Sequence, residues 1–398
     1  LNMGLCGFPI IGCDVGGFAQ SHTEKYQHTQ EHLMVRWVQA SSLLPWFRDH
    51  YAKLQYGGKK YQELYAFEWC YNGRKFSDIM NDFVKMRVRF HHVLYTGMYN
   101  FCKTGVPPVK PTCLYEGGSK RSNVMKGFTS CQDSQYFVGD CTIMVCPAME
   151  DENCGALEDQ SSGNYPAVIH DHPVWFPTER KWFPYDARYD GPCDPGNGFN
   201  YTQGTYGFYL GTGAAHKFTV PLENMPVFMK EGAIIPTRIT ADGSNKKNIQ
   251  QLDKDGEPFV FDIWPGAEYS TYECYFDDGG RTKNAELKGE YSLVKVQQRS
   301  EGGVWQISFS SEYNKYLLPT FLYIRLRAAV SGPISDSQSR SYSGCSTLPD
   351  LFQEKGPACY YDTGKKEQWI KVFSDKLDGL TISKKGTYDI KPLIFPDA

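Results

Sequence analysis

The stretch that decides the fold is GFPIIGCDVGGF, residues 7–18, followed at a distance by EHLMVRWVQASSLLPWFRDHY, residues 31–51. Residues 8–13 are apolar on both faces and bounded by glycine, a pattern that suits a strand in a parallel sheet covered on both sides. Gly16 and Gly17 then supply an open turn. Residues 31–44 carry Leu33, Trp37, Ser41 and Leu44 on one stripe, with Met34, Val38 and Ala40 beside it, which is helical spacing. Pro45 stops that helix. Residues 46–50 read as a second short strand ending in polar groups. A further helical pattern covers about residues 77–102 through Ile79, Met80, Phe83, Val84, Phe90, Leu94 and Met98, with Ser77 as its candidate N-cap. Residues 1–110 therefore read strand, helix, strand, helix, the order of a parallel sheet or barrel. They hold two such units, where a closed barrel needs eight.

After Pro107, Pro108 and Pro111 the pattern changes. Short β-like runs, turn residues and aromatics dominate, as in residues 142–145, 174–176 and 217–220, and the same style continues through 259–264, 291–296 and 323–326. This predicts one or two all-β sandwiches. Residues 332–348, rich in Gly, Ser and Pro, are the expected mobile loop. The whole chain of 398 residues is long enough for two or three domains. An aromatic share of 15 % suits β-sheet cores and also surfaces that stack on sugar rings, and composition alone favours the former.

Net charge is −3 with scattered basic residues, so nothing points to nucleic acid. No apolar run is long enough to cross a bilayer, so no membrane is expected. The start, Leu1-Asn2-Met3-Gly4-Leu5-Cys6, lacks the basic region of a signal peptide and an initiator methionine, and is read as the interior of a longer chain. The 13 cysteines show no short metal-binding pairs, so reduced, buried thiols are expected, leaning toward a reducing compartment that the sequence does not name. The triplet Asn200-Tyr201-Thr202 would accept a glycan in a secreted protein.

Several residues invite a chemical reading. Asp14, at the end of the first strand, fits either a carboxylate that bonds sugar hydroxyls or the start of a turn, and spacing leaves both open. Arg48 and His50 stand two apart and so share a strand face. Spacing by itself favours a surface arginine and a satisfied histidine. Asp277-Asp278-Gly279-Gly280 is read as a hairpin turn rather than a paired-carboxylate site. His170-Asp171-His172 alternates so that both histidines would share a face, but no third ligand is apparent and a loop is the better reading. Gly211-Thr212-Gly213 lacks the helix that a phosphate loop requires.

Taken together, GFPIIGCDVGGF (7–18), EHLMVRWVQASSLLPWFRDHY (31–51), YFVGDCTIMVCP (136–147) and PLENMPVFMKEGAIIPTR (221–238) resemble glycoside hydrolase family 31, the α-glucosidase group, in that family's order and spacing. SSLLPWFRDHY (41–51), KYQELY (60–65), EGAIIPTR (231–238) and YFDDGGRTKNAE (275–286) resemble its α-1,4-glucan lyase branch. The resemblance implies an α/β plus all-β chain: the last two β/α units of a (β/α)8 TIM barrel in residues 1–130, a proximal β-sandwich in 131–240 and a distal one in 241–398. It also implies that Asp14, Phe18 and His50, with Arg48 beside them, line the subsite for a terminal glucose, with Phe18 left open between a ring contact and a core aromatic. The family's nucleophile and general acid belong to barrel strands preceding residues 7–18, so no catalytic residue is assigned in this chain.

The expected function is thus part of an enzyme acting on the terminal glucose of α-1,4-glucans or maltooligosaccharides, with the preceding barrel portion as its structural partner. The favoured reaction is elimination to 1,5-anhydrofructose; retaining hydrolysis by an α-glucosidase is the alternative, and a non-catalytic carbohydrate-binding or scaffold module is a third reading. No organic cofactor is expected, since glycosyl transfer and elimination use acid and base groups.

Overall fold

The structure, a computed structural model, describes residues 1–18, 31–50, 70–115, 131, 134–149, 168–239, 258–279, 285–316 and 318–397. The stretch 60–65, residue 51 and residues 280–284 of the motifs above lie outside them.

The chain opens with a helical turn, α1 (Asn2–Leu5), strand β1 (Gly12–Val15), helix α2 (Glu31–Ser41) and strand β2 (Trp46–Asp49). The strands pair in parallel, so this is one βαβ unit. Strand β1 starts later than the apolar run suggested. Pro9 has no N–H to give a ladder, and Phe8 and Ile10 stand exposed on the flank instead. Gly12 is required by close approach: a Cβ there would sit 1.9 Å from the Trp46 carbonyl oxygen.

A small hairpin, β3 (Cys70–Tyr71) and β4 (Arg74–Lys75), leads into the long helix α3 (Phe76–Thr104). Its N-cap is Lys75 rather than Ser77, and no side chain caps it. Phe76, Ile79, Met80, Phe83, Met86, Phe90, Val93 and Leu94 recur at three- and four-residue steps and are buried. Gly105, at φ 74°, turns left-handed and donates to Phe101 O, closing the helix before the prolines.

Beyond α3 the strands form layers. A sheet of nine described strands runs in the order Asn200–Tyr201, Gly191–Asp194, Lys181–Asp186, Val227–Lys230, Ile143–Val145, Tyr136–Val138 and Val109–Pro111, with Tyr206–Leu210 and Ile390–Pro392 attached alongside. Its strands are apolar on both faces because both faces are covered. Tyr136, Val138, Ile143, Val145, Val227 and Met229 pack toward α2 and α3. Phe137, Met144 and Phe228, the alternate residues, pack toward the hairpin Val168–Trp175/Ala215–Pro221. A second pair of sheets follows. Six described strands (Ile234–Arg238, Phe259–Ile263, Phe321–Leu326, Glu367–Phe373, Ala358–Asp362 and Ser343–Gly344) face five others (Ser270–Phe276, Ser292–Glu301, Val304–Asn314, Thr381–Lys385 and Ile334–Asp336). Phe261, Ile324 and Ile370 of one meet Cys274, Val296 and Ile307 of the other.

Pairing crosses the expected boundaries at 130 and 240. Val109–Pro111 already belongs to the middle sheet, Ile234–Arg238 to the outer pair, and Ile390–Pro392 returns from the C-terminal end to lie parallel with Tyr206, Gly207 and Phe208. Residues 332–348, expected as a mobile loop, contain two short strands and fold around Asp336. Its carboxylate accepts from the Gln338 and Arg340 N–H groups, Arg340 Nε and Tyr342 Oη. Cys131, Cys141, Cys146, Cys193 and Cys274 are buried, whereas Cys6, Cys70, Cys102 and Cys113 are exposed. Among the described residues no helix is long and apolar enough to cross a membrane.

Where α3, the middle sheet and the outer pair meet, six buried charges gather. Arg325 grips Asp262 with Nε and Nη2 at 2.9 and 2.8 Å and reaches Asp190 Oδ2 with Nη1 at 2.7 Å. Arg327 donates to Asp262, to Asp190 and to Glu367 Oε1, the last at 2.7 Å. Arg89 of α3 lies 3.8 Å from Asp190 and donates to Ala187 O. Three guanidinium groups thus face three carboxylates. Burial would raise the Asp190 carboxyl, but the arginines overcome this and hold it well below the usual carboxylate range.

Two buried histidines make the fold acid-sensitive. His92 of α3 contacts Tyr275 O at 2.7 Å and lies between Phe259 and Phe276; burial, then the charge of Arg238, pushes it down to about 3. Burial pushes His172 down to about 4 against its bond to Cys146 O. Both values lie below the ordinary ~6.5, so the unfolded chain binds protons that the folded chain refuses. Stability is therefore full above about pH 6.5 and falls by up to about 1.4 kcal/mol per pH unit per histidine on acidification toward pH 4. The expected result is that His92→Gln flattens the decline of the urea midpoint between pH 7 and 4.5; an unchanged pH dependence contradicts it. Separately, Gly12→Ala should cost at least about 3 kcal/mol in urea unfolding, because a backbone oxygen blocks the methyl group; wild-type stability contradicts that reading of β1 and β2.

Candidate functional site

The parallel register sets Gly12 beside Trp46 and Asp14 beside Arg48. Alternation then sorts the side chains. Cys13, Val15 and Phe47 turn toward the helices: Cys13 Sγ lies 2.9 Å from Ser41 Oγ, Val15 is buried, and the Arg87 guanidinium sits over the Phe47 ring. Burial pushes the Cys13 thiol up, so it is held as a neutral thiol. Asp14, Trp46 and Arg48 share the opposite, open face.

Two basic side chains fix this unit to its scaffold. Arg87 of α3 donates to Ser42 O, Leu44 O and Pro45 O, which sets the chain entering β2. Arg36 of α2 is buried and donates to Val220 O of the hairpin strand Ala215–Pro221, to Asn224 O in the turn after it and to Gln39 Oε1. Desolvation lowers its pKa to about 9, still charged at neutral pH.

On the open face Arg48 donates with Nε and Nη2 to one oxygen of Asp14, at 3.0 and 2.7 Å. Asp14 Oδ2 and Arg48 Nη1 have no partner among the described residues. An acceptor and a donor thus stand side by side at the surface. Phe18 and His50 form a second pair, with ring centres 5.2 Å apart and planes tilted by 32°. Gly16 and Gly17, both left-handed, carry the chain from Asp14 to Phe18, and the Gly17 N–H closes the turn on Asp14 O at 3.0 Å. All four expected residues lie at the C-terminal edge of the two strands, the edge that holds active sites in parallel barrels. Asp14 is both a turn-former, through its carbonyl, and an outward carboxylate; its two readings do not exclude each other.

Trp46 escaped the sequence reading. Its ring lies under the Arg48 guanidinium at 4.9 Å and is 41 % exposed. The signal was there in the two-residue step from Trp46 to Arg48.

The other candidates resolve structurally. Asp277 accepts from Tyr95 Oη, Tyr275 Oη and the Gly279 N–H, a turn tied to α3. The segment His170-Asp171-His172 is not a loop but part of the strand Val168–Trp175, and its histidines do not share a face. Asp171, at φ 56°, breaks the alternation, leaving His170 exposed and His172 buried. Gly211 is packing: a Cβ there would meet Pro177 O at 1.7 Å. Among the described residues no group of three or more His, Cys, Asp or Glu is gathered to hold a metal ion.

Residues 1–97 match the glycosyl hydrolases family 31 TIM-barrel domain. The chain is similar to alpha-glucosidase 2 of Bacillus thermoamyloliquefaciens, 26 % identical over 78 % of this chain and 32 % of that protein. It is also similar to a probable glucan 1,3-alpha-glucosidase of Arabidopsis thaliana, 26 % identical over 70 % of this chain and 23 % of that one. Among solved structures it resembles the Gracilariopsis lemaneiformis α-1,4-glucan lyase, solved as a covalent intermediate complex, with a TM-score of 0.78 and 29 % identity over 96 % of this chain and 35 % of that chain. The chain spans about a third or less of the length of these relatives. With the barrel-type unit at its start and the layered sheets behind it, the chain carries a match to the glycoside hydrolase family 31 barrel domain in residues 1–97 and is similar over most of its length to proteins of that family.

Proposed function

We propose that Asp14, Phe18, Arg48 and His50 form one wall of a pocket for the terminal glucose of an α-1,4-glucan. In this reading residues 1–110 are the last two β/α units of a (β/α)8 barrel, and two β-sandwiches follow. The observation that carries it is the pairing on the open face: Asp14 Oδ2 and Arg48 Nη1, which have no partner among the described residues, offer neighbouring hydroxyls of a pyranose one acceptor and one donor, while Phe18 and His50 offer ring faces. The exposed flank supports a larger barrel. Leu33, Trp37, Ala40 and Leu44 of α2 and its C-terminal turn line a cavity of about 430 Å³, and Met3, Phe8 and Ile10 stand exposed nearby, as expected of a surface that further barrel units cover.

The nucleophile and general acid would come from that preceding portion, about 5–5.5 Å apart as retention requires. The nucleophile attacks C1, the glucan leaves with the acid's proton, and a covalent glucosyl-enzyme forms. In the lyase reaction a carboxylate takes the proton from C2, the C1–carboxylate bond breaks and 1,5-anhydrofructose departs. We favour the lyase on the strength of the likeness to the Gracilariopsis lemaneiformis enzyme. Retaining hydrolysis is the second reading, favoured by the similarity to alpha-glucosidases.

The test is the complete enzyme incubated with maltose or starch. Anhydrofructose as product supports the lyase, and glucose as sole product overturns it in favour of hydrolysis. In the same assay Asp14→Asn should lower kcat/KM about 10- to 100-fold, the loss of a charged hydrogen bond to substrate; unchanged kinetics would remove Asp14 from the pocket.

A further inference from the structure

We propose that Trp46 is a positioning residue for the sugar pocket, holding the Arg48 guanidinium turned onto Asp14. The inference rests on the reading of Asp14 and Arg48 as a glucose-binding wall. Four positions on the open face form a tier. Gly12 is at the base, and its missing side chain admits the Trp46 backbone: a Cβ at position 12 would lie 1.9 Å from Trp46 O and 2.7 Å from Trp46 Cβ. The Trp46 N–H donates to Ile11 O at 2.8 Å, which locks the residue into the start of β2. Above it the Trp46 ring lies 4.9 Å from the centre of the Arg48 guanidinium. At the top Arg48 Nε and Nη2 converge on one oxygen of Asp14.

An arginine this exposed, with 44 % of its side chain in the open, has many rotamers to choose from. The bonds to Asp14 fix the tip of the side chain but not the plane of the fork about that oxygen. A ring beneath it adds a second restraint through cation–π attraction. Both together fix where Asp14 Oδ2 and Arg48 Nη1 point, which is what two neighbouring sugar hydroxyls would read. Without Trp46 the arginine swings between Asp14 and solvent, and sugar affinity falls while the chemical step at C1 is untouched.

The experiment is a double-mutant cycle on the complete enzyme with maltose, reading KM and kcat for Trp46→Phe, Trp46→Leu, Arg48→Ala and the Trp46→Leu/Arg48→Ala pair. Trp46→Leu should raise KM roughly 5- to 30-fold with kcat within about twofold, Trp46→Phe about threefold, and the pair should be no worse than Arg48→Ala alone. Losses that multiply in the pair, or a fall in kcat with KM unchanged, would show a packing role and overturn the proposal. If Trp46→Leu does not fold, Trp46→Phe decides, and an unchanged KM overturns it. A KM unmoved by Arg48→Ala brings down the pocket itself, and the role of Trp46 with it. A KM moved by Arg48→Ala but not by Trp46→Leu brings down the role of Trp46 alone.

Discussion

Asp262 accepts from both Arg325 and Arg327, and those arginines carry on to Asp190, in a turn between two strands of the middle sheet, and to Glu367 of the outer pair. The Asp190 carboxylate in turn reaches Arg89 on α3. These six charges are buried at the place where helix, middle sheet and outer sheets converge. Removing one partner leaves a charge without its counterpart in a dry site, at a cost of about 3–5 kcal/mol. The cluster is therefore a constraint on assembly: the three layers fit together in the one arrangement that neutralises all six. Tyr185 and Tyr206 complete it by donating to Asp190 and Glu367.

The open face of β1 and β2 depends on this junction at one remove. Helix α3, docked at Arg89 to the cluster and at His92 to the outer sheets, is the same helix whose Arg87 holds the backbone entering β2. Helix α2 is tied by Arg36 to the hairpin strand Ala215–Pro221 and the turn that leads from it into the middle sheet. The Asp14–Arg48 pair is thus held by a frame reaching from residue 14 to residue 367. The sheets behind the βαβ unit fix the helices that fix its strands.

Much of the frame was legible in the sequence and some was not, for identifiable reasons. The three- and four-residue recurrence through Ile79, Phe83 and Phe90 marks α3, and the doubly apolar runs around Phe137 and Met144 mark a sheet covered on both faces. The start of β1 was misjudged because hydrophobicity at Phe8 and Ile10 reads the same whether it serves a strand or an uncovered flank. Asp171 hides the split of His170 from His172, since one left-handed residue reverses a face without changing composition. The charge cluster was invisible because even its directly bonded members lie up to 137 residues apart and each looks like a surface charge. Asp14, Arg48 and His50 could be named only through likeness to a family; Trp46 needed the structure.

The central claim is that the six-charge junction makes the layers one cooperative unit. Scanning calorimetry of Asp262→Asn against the wild-type protein tests it most directly. The account predicts that the variant loses about 3–5 kcal/mol and that its unfolding separates into distinct transitions, the outer sheets melting apart from the helices and middle sheet. A variant that unfolds in the same transition as the wild type, at the same temperature, would contradict it.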